Sequence, residues 1–252
     1  MTKRVFITGA SSGFGKAIAE IFARNGHDCI ITGRREDRLD ELQKELEQKF
    51  NVAIYTLCFD VRNKETVQKA IDQLPAGWRE IDILINNAGL ALGRDYFDEA
   101  DMDDWETMLD TNVKGLLYVS RAILPLMTTR NKGHIINVGS TAAKEVYEKG
   151  NVYCASKSAV DAISQSMRID LLRHGIKVTA IHPGAAETEF SMVRFKGDEE
   201  IAKSVYKGFK PLVAEDIASV VYYCTTLPDH VCINDLVLTS TAQANSFYFH
   251  RQ

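Results

Sequence analysis

Apolar positions in this chain fall into two patterns: short β-branched runs, and longer stretches where they recur every three or four residues. The short runs Arg4–Thr8, Asp28–Thr32, Val52–Phe59, Ile81–Ile85, His134–Ser140, Ile176–Ile181 and Val231–Thr239 predict strands. Phe14, Ala17, Ile18, Ile21 and Phe22 share one helical face, with Gly26 as the stop, and Leu39, Leu42 and Leu46 give Glu36–Phe50 an inward stripe. Asp104–Thr129 reads as one long helix, apolar on most of its circumference through Trp105, Met108, Leu109, Val113, Leu116, Leu117, Ile123 and Leu124. Such a helix must be covered on more than one side. Asn151–Arg173 is a further helix, in which Ala155, Ala159 and Ala162 form a smooth stripe. That stripe suits close approach, either by a second subunit or by the helix's own sheet. Strands alternating with helices throughout predict an α/β fold with a doubly wound parallel sheet in three αβα layers. No linker, charge block or repeat divides residues 1–252, so a single domain is expected.

Composition narrows the class. The chain is 45% hydrophobic and carries a net charge of −4, which gives no electrostatic reason to expect nucleic acid or an anionic membrane as a partner. Its five cysteines are scattered and lack a C-x-x-C pair, which suits reduced thiols better than disulfides or zinc. The first ten residues hold too short an apolar run for a signal peptide, and no stretch would span a bilayer. A cytoplasmic protein is expected.

The first strand runs into Gly9-Ala10-Ser11-Ser12-Gly13-Phe14-Gly15 and then a helix. Strand, glycine-rich turn and helix make a phosphate site: glycines let the backbone approach a pyrophosphate, and the helix start offers N–H donors and a positive dipole end. This makes the sheet Rossmann-type. At the end of the second strand, where an acid would hold the ribose 2′-hydroxyl of NAD, the chain has Arg34 and Arg35. Two cations there suit the 2′-phosphate of NADP, although they could also be a solvated pair opening the next helix. Asp60 and Val61 follow the third strand, placed to flank an adenine; Asp60 could alternatively cap the helix starting near Lys64. Asn86, Asn87, Ala88 and Gly89 follow the fourth, where small residues can line a cofactor and an amide can tie strands together.

Tyr153 and Lys157 are one helical turn apart, so their side chains stack on one face. An ammonium beside a phenol favours the phenolate, which lowers the tyrosine pKa towards the range of an acid/base catalyst. Ser140 ends the preceding strand, from which a hydroxyl could reach the same substrate oxygen. Taken alone, these residues would pass for a surface pair and a turn serine. Their coincidence at strand carboxyl ends with the glycine turn, Arg34, Asp60, Asn86 and Pro183 argues otherwise. Residues 185–210 are polar and read as a mobile, helical, substrate-covering segment.

Thr8–Gly15 (TGASSGFG), Asn86–Gly89 (NNAG), Asn112, Ser140, Tyr153–Lys157 (YCASK) and Pro183-Gly184, in this order, resemble the short-chain dehydrogenase/reductase family over nearly the whole chain. The resemblance implies hydride transfer between a nicotinamide and a carbonyl or hydroxyl carbon. Tyr153 would be the acid/base and Ser140 would orient the substrate oxygen. Lys157 would hold the nicotinamide ribose and lower the tyrosine pKa, and Asn112 would hold a water in the proton path. The cofactor would be held by Gly9, Ser11, Ser12, Gly13, Phe14, Gly15, Arg34, Arg35, Asp60, Val61, Asn87, Ala88, Gly89, Tyr153, Lys157, Pro183 and Gly184, with no metal. ITGRREDRLDEL, NNAGLALG, DWETMLDTNVKGL, TEFSMVRFKGD and the terminal His250-Arg251-Gln252 are similar to NADP-dependent 3-hydroxy acid dehydrogenases acting on serine and allo-threonine. Lys144–Lys149 (KEVYEK) is more charged than that group leads one to expect beside the site. Sulfoacetaldehyde or another small aldehyde, or a carrier-bound 3-oxoacyl group, are therefore alternative substrates; a dinucleotide-sensing regulator without turnover would lack one of the four catalytic residues. Ser140, Tyr147 and Arg194 are the candidate substrate contacts. Arg194 could anchor a carboxylate or merely pair with Asp198, and Arg251 of the tail could reach a neighbouring subunit's site. Tetramers are common in the resembled family, and a homotetramer is expected.

Overall fold

The computed structural model describes residues 2–252. Seven strands form one parallel sheet in the order β3-β2-β1-β4-β5-β6-β7. They are β1 (Arg4–Ile7), β2 (Asp28–Gly33), β3 (Ile54–Cys58), β4 (Ile83–Asn86), β5 (Gly133–Val138), β6 (Ile176–Pro183) and β7 (Asp235–Leu238). Strand order reverses beside β1, between β2 and β4, and at such a switch point a doubly wound sheet opens a crevice at its carboxyl ends. This is the expected α/β architecture.

Alternate residues of each strand feed two cores, which is why the strands read as continuous apolar runs. Val5, Ile7, Cys29, Ile31, Ile83 and Ile85 pack on α1 (Gly13–Arg24), α2 (Glu36–Phe50) and a late helix, Ala214–Thr226. Phe6, Ile30, Leu84 and Ile135 face the opposite way, into a core shared with α3 (Lys64–Asp72) and, further along the chain, Leu116–Thr128. Buried amides tie the sheet centre together: Asn86 donates to Asn137 and to Ser120, both at 2.9 Å, and Asn137 donates to Ser164 at 2.8 Å. The tying role foreseen for Asn86 is thus its geometry.

The long helix foreseen over Asp104–Thr129 is three pieces: α4 (Met102–Leu109), a π-helical turn (Asp110–Gly115) and α5 (Leu116–Thr128). Asn112 lies in the π turn. α6 (Asn151–Asp170) stops before a short 3₁₀ turn, Leu172–His174. Its alanine stripe does not pack on its own sheet, because Ala155 and Ala162 are exposed. β6 continues past Ile181 through His182 and Pro183. Residues 185–210 hold two short helices, α7 (Glu189–Arg194) and α8 (Glu199–Ser204).

The sequence periodicity assigns no element to Ala214–Thr226, α9, which packs against α1. Its run SVVYYC is β-branched and aromatic, composition that favours strand over helix when read locally. No helix among the described residues is long and apolar enough to cross a membrane.

Candidate active site

A cleft of about 1290 Å³ lies over the carboxyl ends of the strands. Its dinucleotide side is built by the β1–α1 turn. Gly9, Ser11, Ser12, Gly13 and Phe14 line it, whereas Gly15 lies beneath. A Cβ on Gly15 would come within 2.2 Å of the Gly9 carbonyl oxygen and 2.6 Å of the Asn87 amide, so only glycine lets α1 approach β1 and β4 this closely. Asn87 donates to the Thr8 carbonyl at 2.8 Å, and the Thr8 hydroxyl accepts from the main-chain N–H groups of Asn87 and Ala88 at 2.9 Å. Ala88 and Gly89 thereby face the same cleft. α1 carries no acidic residue in its first turn, and the Ser12 side chain makes no capping bond. The helix start therefore presents positive potential to an anion.

Arg34 and Arg35 both line the cleft. Arg35 is not simply solvated: its guanidinium donates to Ser11 at 2.9 Å and Ser12 at 2.9 Å, and to Glu189 at 3.2 Å. Arg34 has one distant acid, Asp60 at 4.0 Å. Asp60 does not cap α3, a task taken by Asn63, which accepts from the Thr66 N–H at 2.9 Å. Burial works to raise the Asp60 carboxyl, but hydrogen bonds from Arg62, with the Arg34 charge, hold it below its usual range. Asp60 and Val61 line the cleft wall, as do Pro183 and Gly184 at the end of β6. A glycine turn under a bare helix start, with two guanidinium groups at the β2 end, fits a dinucleotide bearing an additional phosphate.

The chemical end holds Ser140, Tyr153 and Lys157, which all line the cleft, with Tyr153 and Lys157 nearly buried. Ser140 Oγ accepts from the Ala142 N–H at 3.1 Å, which leaves its own hydrogen free to be donated. Lys157 Nζ donates to the Val138 carbonyl at 3.0 Å, and burial pushes the ammonium down to about 8. The phenol departs from expectation. Burial raises the Tyr153 pKa, Tyr147 adds to the rise, and the lowering influences are a hydrogen bond with Ser140 and the charge of Arg194. The Arg194 guanidinium carbon stands 5.4 Å from the Tyr153 ring centroid.

Arg194 makes no pair with Asp198, which instead caps α8 by accepting from the Ile201 N–H at 3.0 Å. It donates to the Tyr147 hydroxyl at 3.0 Å and the Gly93 carbonyl at 3.2 Å, and has no salt bridge among the described residues. Tyr147 and Arg194 face the cleft together. Asn112 stands behind the wall, 2% exposed. Its amide is committed: Oδ1 accepts from the Leu90 N–H at 2.8 Å, and Nδ2 donates to the Leu90 carbonyl at 2.8 Å and Ser156 at 3.0 Å. The geometry gives its side chain the task of fixing the Leu90 backbone. Arg251 docks on its own chain, donating to the carbonyls of Val205 and Lys207 and stacking between Phe209 and Phe249 at 5.0 and 5.3 Å.

Two cleft residues escape sequence spacing. Glu189 meets Arg35 across the cleft mouth, and Phe190 packs on Tyr153 at 5.8 Å between centroids. Both follow the Pro183-Gly184 pair closely and open the TEFSMVRFKGD stretch, the sequence signals that could have pointed to them.

The profile of the short chain dehydrogenase family matches residues 3–199. An NADP-dependent 3-hydroxy acid dehydrogenase of Salmonella typhi is 48% identical over 241 residues, 95% of this chain and 96% of that protein. Sulfoacetaldehyde reductase 2 of Chromohalobacter salexigens is 45% identical over 249 residues, 98% of each chain. The closed form of a serine dehydrogenase complexed with NADP⁺ superposes with a TM-score of 0.92 at 46% identity, covering 99% of this chain and 100% of that one. With the glycine turn, the Ser140–Tyr153–Lys157 group and the seven-stranded parallel sheet, these matches show that the chain belongs to the short-chain dehydrogenase family of oxidoreductases.

Proposed function

We propose that the protein is an NADP-linked oxidoreductase interconverting a small 3-hydroxy acid, of the serine, allo-threonine or 3-hydroxypropionate type, with its 3-oxo acid or semialdehyde. The observation that carries this reading is the Arg194 guanidinium, free of any acid among the described residues, held over the Tyr153 ring at the chemical end of the cleft. NADP, when bound, supplies or accepts the hydride. The glycine turn and the α1 start hold its pyrophosphate, Arg34 and Arg35 its 2′-phosphate, and Lys157 its nicotinamide ribose. Asp60, Val61, Asn87, Ala88, Gly89, Pro183 and Gly184 form the remaining walls.

The chain's own residues manage the proton. Tyr153 gives or takes it at the substrate oxygen. Ser140, its lone pair engaged by Ala142, donates to that same oxygen and stabilises the charge that develops there. Asn112 keeps the Leu90 backbone in place beside Lys157. Arg194, steered by Tyr147, takes the substrate carboxylate in a bidentate fork, and residues 185–210 close over it. The 45% identity to a sulfoacetaldehyde reductase supports a second reading, in which the same fork holds a sulfonate.

The test is cofactor turnover with both nicotinamides against serine, allo-threonine, 3-hydroxypropionate and sulfoacetaldehyde, with Tyr153→Phe as control. NADP-linked turnover of the hydroxy acids, lost in the variant while cofactor binding persists, is the expected result. Turnover only with neutral alcohols, or unchanged kcat in Tyr153→Phe, would overturn it.

A further inference from the structure

Behind Ser140, away from the cleft, lies a cluster that the proposed chemistry does not use. His182, wholly buried in β6, places Nδ1 3.2 Å from the Ser140 carbonyl oxygen and 3.4 Å from its N–H. Its other nitrogen, Nε2, faces Asp235 Oδ1 at 2.8 Å and Asp161 Oδ1 at 3.6 Å. Lys144, from the charged stretch after Ser140, clamps both carboxylates, at 2.9 Å to Asp161 and 2.7 Å to Asp235. The ammonium lies where the two carboxylates converge, so the cluster carries its own cation. Gly139 makes room for the ring: a Cβ there would stand 2.4 Å from His182 Nδ1.

We propose that His182 is a positioning residue for Ser140, with Asp235, Asp161 and Lys144 setting its ring and its protonation state. This rests on the role proposed above for the Ser140 hydroxyl. With Asp235 facing Nε2, the neutral ring carries its hydrogen there, and the Nδ1 lone pair accepts the Ser140 N–H. Protonation turns Nδ1 into a donor, which reverses the preference towards the Ser140 carbonyl. Which main-chain group of the serine is held thus depends on the charge of a ring outside the cleft. The groups facing the ring act in opposite senses. Burial lowers the His182 pKa below its ordinary value and Lys144 lowers it further, whereas Asp235, Asp161 and the Ser140 backbone contact raise it. The neutral ring is therefore the working form near neutrality, and its titration falls on the acid side of the ordinary histidine range.

Two measurements test this. In the first, His182→Asn is made in the wild type and in Ser140→Ala, with kcat, KM and NADP affinity measured for each. We expect His182→Asn to lower kcat by about tenfold or more with NADP affinity retained, since small misplacements of a reacting group cost that much, and to cost almost nothing further once the serine hydroxyl is gone. An equal loss in both backgrounds overturns the assignment of His182. A wild-type kcat in Ser140→Ala alone overturns the serine's role instead, and this proposal with it. The second measurement does not depend on substituting a buried ring. Asp235→Asn, which removes a charge that favours the imidazolium, should move the acid limb of the kcat profile to lower pH. Lys144→Met, which removes the opposing charge, should move it to higher pH. Shifts in the same direction, or none, overturn the proposal.

Discussion

Glu189, the first residue of α7, accepts a hydrogen bond from Arg35 at 3.2 Å although the two are 154 positions apart. It binds Arg38 as well, at 2.8 Å, so the start of α7 rests on the cations near the end of β2. Burial works to raise the Glu189 carboxyl, but Arg38 and Arg35 keep it below its usual range, and it is an anion at neutral pH. A 2′-phosphate held by Arg35 must share that guanidinium with a like charge. Glu189→Gln should therefore tighten NADP by about two- to fivefold, the scale of an exposed charge pair, and leave NAD unchanged. Fluorescence titration with both dinucleotides checks this; an equal change for both would remove the phosphate from the explanation.

Lys157 should be a stability cost kept for function. Its folded pKa of about 8 lies below the ordinary 10.5, so between these values the unfolded chain binds more protons than the folded one. The penalty is complete below pH 8 and lifts as the pH rises towards 10.5, so this residue makes stability increase with pH across that window. Lys157→Met should gain about 1–3 kcal/mol at pH 7, since each pKa unit is worth about 1.4 kcal/mol and the Val138 carbonyl loses its partner. The gain should fade by pH 10, and turnover should collapse. Urea unfolding across that range would settle it; a variant less stable at every pH would show that the Val138 contact outweighs the burial.

Arg194→Ala should raise KM for a 3-hydroxy acid by about tenfold or more, as expected on losing a charge-assisted hydrogen bond, and hardly affect a neutral aldehyde of similar size. Its bonds to Gly93 and Tyr147 also hold α7 to the opposite wall. Losses of equal size for both substrates would therefore point to closure of the segment rather than to carboxylate binding.

Assembly is tested on apolar surface that is exposed in one chain. Leu109 and Leu117 are each 40% exposed, on the helices flanking the π turn, and Ala155 and Ala162 of α6 are exposed as well. We expect a homotetramer in sedimentation equilibrium and dissociation in Ala155→Arg, whose long cation cannot enter a close helix contact. A monomeric native protein at micromolar concentration would refute this.

Sheet and glycine turn are legible in the chain because their signals are local: β-branched runs buried on both faces, and small residues where backbone must approach backbone. Ser140, Tyr153 and Lys157 are legible for the same reason, as a strand end and one helical turn. What stays hidden depends on distant partners. Glu189 has meaning only beside Arg35, and His182 only beside Asp161 and Asp235, none of which are near in sequence. The direction of the Tyr153 shift is hidden too, since the burial that raises it depends on distant packing such as Phe190 against the ring. α9 is obscured by composition, as its tertiary packing on α1 overrides the strand preference of SVVYYC.

The π turn at Asp110–Gly115 has a consequence for what this chain can become. A π turn holds one residue more than the regular ladder, so deleting any one residue there would restore an ordinary helix and relieve the local irregularity. Because the extra residue is absorbed locally, the inward faces of α4 and α5 would keep their directions, and Val119 and Ile123 would stay in the core. What would be disturbed is the turn itself, where the Asn112 amide holds the Leu90 backbone through two hydrogen bonds. The irregularity therefore belongs to the wall of the cleft: α5 could pack without it, but the Asn112–Leu90 tie could not survive its loss.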